Sequence, residues 1–298
     1  MVIQMETQSR GKGIFFLFLT FFLWGSIYVG ARLLSGRIMP LTLACLRCAV
    51  GTAPLLLMAR PYRKKIEKED RKVFLLIGVA GYFLTWDLVQ VGISLTGAST
   101  AALVNSFNPV SIMLLAAILL KEKITPTKIL CLILAMTGAL IVTYGADGRA
   151  ELAGIVVTFL ATLTWGTASV YMRRLTAKYP PIMVTAYGML IGLCCHIPVG
   201  IVTAIADPPT LGVREICILL YLGVIGSGLA QFTWTRSLQQ FSASTCSLFY
   251  PLQAVFSAIL GAMVLSEQFT AFFFIGLVFV SADVALCTWE TMHTAKDT

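Results

Sequence analysis

The chain alternates long apolar runs with short breaks that carry charge, glycine or proline. The runs cover residues 13–35, 40–59, 73–94, 98–120, 126–144, 152–173, 181–205, 214–236, 243–265 and 270–289. Each is near the ~20 residues that an α-helix needs to cross a bilayer core. The pattern predicts an all-α integral membrane protein of ten transmembrane helices. Some starts carry local signals: Thr125 precedes Pro126 as an N-cap before a proline at the first helical position, and Thr270 can cap the last helix. The first run follows Arg10 and Lys12, as in a signal peptide. It is too long for that role and lacks a small-x-small cleavage site, so it reads as a retained helix behind a tail of residues 1–12.

Lys and Arg orient the runs. With the N-terminus in the cytoplasm, only Arg32, Arg37, Arg149 and Arg214 fall in outer loops, Arg47 falls inside a run, and the other 17 of the 22 basic residues are cytoplasmic. The positive-inside rule then places both termini in the cytoplasm of a multi-pass plasma-membrane protein, with residues 290–298 as the second tail.

The runs also repeat. Trp24-Gly25-Ser26 recurs as Trp165-Gly166-Thr167, Arg32 as Arg173, Pro40 as Pro181 and Gly51 as Gly192, all 141 residues on. Later the offset is 145: Ala98-Ser99-Thr100 over Ala243-Ser244-Thr245, and Glu122 over Glu267. A four-residue insertion in the loop after the seventh helix accounts for the change. The chain therefore reads as a five-helix unit at 13–145 and a second at 152–289. An odd number of spans per unit forces the copies to face opposite ways, an inverted-repeat plan that recurs among secondary transporters. Channels can be built this way too.

Composition strengthens the membrane reading and removes others. The chain is 58% hydrophobic and 12% charged, against about 25% charged in soluble domains. The net charge of +8 belongs to cytoplasmic loops, so nucleic acid is not expected as a partner. Eight cysteines lie in apolar runs and read as buried thiols. Cys45-x-x-Cys48 lacks the further ligands of a metal site, and no metal or cofactor is expected. No G-x-x-x-x-G-K-[ST] is present, so a gradient or exchange, not ATP, should drive any transport. Expected partners are the bilayer, a small-molecule substrate, and protons or a counter-substrate. The sequence leaves oligomeric state open and is compatible with a monomer.

The Trp-Gly-Ser/Thr at the start of each half, the Arg in the second helix and the Glu closing the fourth helix of each half resemble the EamA-like branch of the drug/metabolite transporter superfamily. The resemblance spans nearly the whole chain. It implies a ten-helix secondary transporter of small organic metabolites, often an exporter, with its site between the halves. Two positions depart from the duplicated pattern: Gly188 matches Arg47, and Ala254 matches Pro109, with Pro251 one turn earlier.

Polar groups deep in a membrane are costly and mark interiors or cavities. Arg47 and Asp87 each lie about seven residues in from the outer end of consecutive helices, roughly 10 Å deep. They can pair structurally, or Asp87 can bind a cation or proton and Arg47 an anionic group. Asp87, Gln90 and Ser94 share one side of helix 3, with Trp86 and Tyr82 beside them. Gln231 and Trp234 repeat the stripe in helix 8, where Phe232 replaces Asp87. Asn105 and Asn108 match Tyr250 and Gln253, beside Pro109 and Pro251. These amides can serve a ligand or helix–helix hydrogen bonds. Trp24 and Tyr28 share a face of helix 1, and with Trp165 they can pack or stack on a flat or cationic substrate. His196 reads as a packed histidine sooner than a proton relay, and Asp283 as a bundle or dimer contact. Glu122 and Glu267, at helix ends, suggest basic partners such as Lys123 or Arg236. An enzyme would need a catalytic cluster near one membrane face, which the sequence does not offer. Multidrug or cationic-compound efflux, lipid movement and a channel are the alternatives to metabolite transport, for which amino acids or related polar compounds are the leading class.

Overall fold

The computed structural model describes residues 2–34, 36–96, 104–105, 107–143, 152–265 and 271–293, and among these the regular structure is helical throughout. Helix α1 is Val2–Leu33 and α2 is Pro40–Ala59. Rod α3 is built from Lys68–Leu76, a π-helical stretch Ile77–Leu84, and Thr85–Thr96. Then come α4 (Asn108–Leu120), α5 (Pro126–Thr143), α6 (Leu152–Thr176) and α7 (Pro181–Ala206). Rod α8 is Val213–Leu220, a π stretch Tyr221–Leu229, and Ala230–Gln240; α9 is Ala243–Ser247 followed by Pro251–Leu265; α10 is Ala271–His293. Among the described residues, 7 helices are long and apolar enough to cross a membrane. Outward side chains suit lipid: Ile118, Val202, Ile205 and Phe274 are all strongly exposed.

Several expected boundaries move. Helix α1 starts at Val2, so most of the expected tail is helical. Rod α3 starts at Lys68, because Glu69 and Asp70 in its first turn complement the positive helix terminus. The helices expected at 98–120 and 243–265 are interrupted. In each, helix resumes with a proline in its first turn, Pro109 in α4 and Pro251 in α9. Proline lacks the N–H that would continue the ladder from the preceding turn, and it suits a helix start. The Thr125 cap is as expected: its hydroxyl accepts from the Lys128 N–H at 3.2 Å. Thr270 and Glu267 lie outside the described residues.

Contacts of the first half recur in the second at the sequence offsets. A side chain on Gly78 of α3 would strike Ile191 and the Gly188 carbonyl of α7. A side chain on Gly223 of α8 would strike Val50 and the Arg47 carbonyl of α2. Gly25 fits against Gln253 to Ser257 of α9, as Gly166 fits against Ser111 and Ile112 of α4. Both π stretches also coincide. Small residues admit this close backbone approach, which drives helix packing in a membrane where burial alone does not. The 145 offset holds from Gly223 onward, and α7 runs to Ala206, six residues past the match of Ala59.

Candidate functional site

Two side-chain clusters carry most of the residues singled out by sequence. The first is aromatic. Trp24 of α1 lies 5.7 Å from Trp165 of α6 and 5.4 Å from Trp234 of α8, ring centre to ring centre. Trp165 and Trp234 stack at 6.2 Å with 30° between planes. Tyr250, in the turn that breaks α9, is 5.8 Å from both Trp24 and Trp234. Phe21 closes the group at 5.0 Å from Tyr250. The Trp165 indole N–H donates to the Tyr250 hydroxyl. The Trp234 ring is fully buried, yet its indole N–H has no hydrogen-bond partner among the described residues. These separations are those of rings in direct contact, so the box is filled by its own walls. Beside it, Gln231 is buried with its amide oxygen unpartnered among the described residues.

The second cluster is ionisable. Arg47 of α2 places its guanidinium 4.8 Å from the centre of the Trp86 ring, a cation–π contact. Asp87 meets His196 of α7: Oδ1 is 3.3 Å from Nδ1. The other ring nitrogen, Nε2, is 3.0 Å from the Tyr82 carbonyl oxygen. Phe83 and Trp86 flank the imidazole at 5.2 and 6.1 Å. The sequence reads His196 as a packed histidine, and its ring is fully buried against Phe83 and Trp86 while also meeting Asp87. A usable signal was present: its repeat mate is Leu55, so it is ionisable in one copy only, as Asp87 is.

The remaining candidates lie elsewhere. The Gln90 amide reaches the Pro40 carbonyl at 3.4 Å. The Asn108 amide donates to the Asn105 carbonyl and side-chain oxygen at 2.9 and 2.8 Å, so Asn108 spends its donors on the break before α4. Gln253 is half-buried opposite Gly25. The side chains of Tyr28 and Ser94 lie outside the described residues.

Two expectations need correction, on Glu122 and on the cysteines, and the reading of Asp283 as a bundle contact stands. Among the described residues Glu122 meets no basic side chain: its carboxylate accepts from the N–H groups of Ala243 and Ser244 at 2.9 and 3.1 Å and from the Ser244 hydroxyl at 2.6 Å. The exposed donors of a helix start attract an anion more directly than a loop cation does. Cys194 and Cys217 are exposed, on the outer faces of α7 and α8. Asp283 is fully buried between α10 and α5, a bundle position, with both carboxylate oxygens unpartnered among the described residues.

On the flank, Lys178 of the α6–α7 loop meets Glu67 at 3.2 Å and the buried Asp70 at 3.1 Å. Tyr179 donates to Asp70 at 2.9 Å. These contacts hold Lys178 above its ordinary pKa of 10.5, the Asp70 hydrogen bond contributing most.

The profile of the EamA-like transporter family matches residues 11–144 and again 152–289. The chain belongs to the EamA-like transporter family. It is 23% identical to an uncharacterized transporter of Clostridium kluyveri over 281 residues, 90% of each chain. It is 27% identical to an uncharacterized transporter of Archaeoglobus fulgidus over 260 residues, 85% of this chain and 90% of the relative. A crystal structure superimposes with a TM-score of 0.80 at 18% identity, covering 97% of this chain and 99% of the other, which shows a shared fold. This EamA-family chain is thus a multi-pass membrane transporter, and its two clusters are the candidate transport machinery.

Proposed function

We propose that this EamA-family protein is a secondary carrier for small polar organic metabolites, amino acids or their relatives, working by alternating access and exporting from the cell. In this reading ten spans form two inverted five-helix units with both termini in the cytoplasm of the plasma membrane. The observation that carries it is the contact between Trp24 and Trp165. These are repeat mates, and mates touch only near the axis that relates two copies. Cys48 supports the same axis: its thiol donates at 3.6 Å to the Met189 carbonyl, again 141 residues on. The aromatic box therefore sits where the halves would separate. Parting α1 and α8 from α6 would replace ring–ring contacts with ring–substrate contacts. Broken helices beside the box, as in α9, are the usual place for such a site in transporters.

Purified protein in liposomes, given a 14C-labelled amino-acid mixture, should show saturable uptake that Trp165→Ala abolishes. Flux that rises linearly without saturation would instead indicate a channel. A second reading, efflux of organic cations, draws on the three indole faces, which suit cation–π binding. Competition by tetraphenylphosphonium at concentrations below those of the amino acids would favour it.

A further inference from the structure

We propose that His196 and Asp87 form a buried site holding one proton between α7 and α3, and that the transport cycle loads and unloads it. The second clause rests on the carrier reading above; the first does not. The Tyr82 carbonyl 3.0 Å from Nε2 can only accept, so Nε2 carries a hydrogen. A neutral imidazole has one N–H, which leaves Nδ1 as a bare lone pair. Nδ1 faces Asp87 Oδ1 at 3.3 Å, and no hydrogen bond from the described residues reaches either atom. An ionised carboxylate also offers only lone pairs. Two acceptors in that position repel, and one added proton turns the repulsion into an attraction. On nitrogen it makes an imidazolium–carboxylate pair; on oxygen it makes an imidazole–carboxylic acid pair. Either way the net charge is zero, and the pair holds one proton more than neutral His196 plus ionised Asp87. Uptake consumes that proton alone, and release returns it.

Burial makes the proton consequential. The His196 and Asp87 side chains are 1% and 14% exposed. Release would strand a buried negative charge, which is strongly unfavourable unless the surroundings rearrange. The pair joins a helix of the first unit to one of the second, so release pushes the units apart and uptake draws them together. Other ionisable groups nearby are Arg47, Cys45 and Cys48 on α2 and Tyr82 on α3. Rod α8, which also packs on α7, has Arg236 near its C-terminal end, where it donates to Gln239. Helix α6 has Tyr171, Arg173 and Arg174 in its last turns. Arg47 is always charged and lies over the ring of Trp86, the residue before Asp87.

The chain has 2 histidines, His196 and His293, so 15N-histidine NMR of the full-length His293→Gln protein reports on His196 alone. As the pH is raised, Nδ1 should pass from protonated or hydrogen-bonded to bare in a single one-proton step. In Asp87→Asn the amide N–H satisfies Nδ1, and that step should be lost. A bare Nδ1 with ionised Asp87 throughout, or the same titration in Asp87→Asn, overturns the site. Should Asp87→Asn fail to fold, the His293→Gln titration alone decides: an Nδ1 that is bare at every pH overturns the site, and an Nδ1 that loses one proton or hydrogen bond in one step supports it. In liposomes, a pH gradient should accelerate wild-type uptake of the labelled amino acids, and Asp87→Asn should show no uptake with or without the gradient. Uptake indifferent to the gradient overturns the coupling. No wild-type uptake with an intact titration refutes the carrier reading and leaves the proton site standing.

Discussion

Where α2, α3 and α7 meet, the protein places Arg47, Asp87 and His196; at the matching junction of α7, α8 and α2 it places Gly188, Phe232 and Leu55. The backbone contacts around the two sets are the same. Gly78 lies against Ile191 in one, and Gly223 against Val50, the mate of Ile191, in the other. Packing has thus been duplicated and chemistry has not. The physical reason is that helix approach depends on small residues that each copy must keep, whereas a buried charge is costly and is worth placing only once. One junction is apolar; the other sets Asp87 against His196. The aromatic box behaves differently again, since Trp24 and Trp165 are mates that occupy the same place.

The largest expected effect breaks this asymmetry. Asp87→Asn should abolish transport while the protein still reaches the membrane, measured as uptake against membrane-fraction abundance. Phe232→Leu, at the mate position, should retain uptake. Asp283→Asn should retain it too, because that buried acid belongs to the α5–α10 seam and touches neither cluster. Full uptake with ordinary kinetics in Asp87→Asn would remove Asp87 from the mechanism.

Stability should follow packing, and so be nearly the same in both copies. Trp234→Ala removes the fully buried centre of the aromatic box and should cost ~3–5 kcal/mol, the usual range for such a truncation. Next in size are Gly51→Ala and Gly192→Ala. The added Cβ would lie 2.5 Å from the Gly223 carbonyl in the first case and 2.6 Å from Tyr82 Cβ in the second. Overpacking of this kind costs ~1–3 kcal/mol. Thermal unfolding in detergent should show the two glycine variants lowered alike. A large difference between them would mean that the copies do not share their packing.

Much of this was legible in the sequence because period and offset are collective signals. A 20-residue apolar run, a 17-to-4 charge bias or a Trp-Gly recurring after 141 residues survives the loss of any one position. Trp24 and Trp165 share a repeat position, but nothing in the sequence brings Trp234 and Tyr250, the mates of Val89 and Asn105, to the same place. The partner of Asp87 was not legible either, since the nearest ionisable residue of matching depth in sequence was Arg47, and His196 comes from a helix more than 100 residues away. Glu122 was misassigned because sequence shows side-chain charges but not the bare N–H groups of a helix that starts across the bundle. The breaks in α4 and α9 were hidden by unbroken apolarity; only Pro109 and Pro251 marked them.

The smallest effect concerns the loop contacts, which are as unequal as the ion site. On one side, Lys178 bridges Glu67 and the buried Asp70. At the matching place, the Arg37 carbonyl accepts from the Thr210 N–H at 3.0 Å and from its hydroxyl at 3.3 Å, with no charge involved. Lys178→Met should therefore destabilise slightly, since the lysine side chain is half exposed and exposed pairs are weak. Its pH dependence distinguishes the charge from the bulk of the side chain. Because Lys178 binds its proton more tightly when folded, its contribution is complete below its ordinary 10.5 and fades as pH rises through the raised folded value. The difference in unfolding temperature between wild type and Lys178→Met should hold steady from neutral pH to about 10 and shrink above it. High salt should shrink it at neutral pH. A difference unmoved by either would assign the contact to packing against Tyr179, and the two loop contacts would then differ in shape alone.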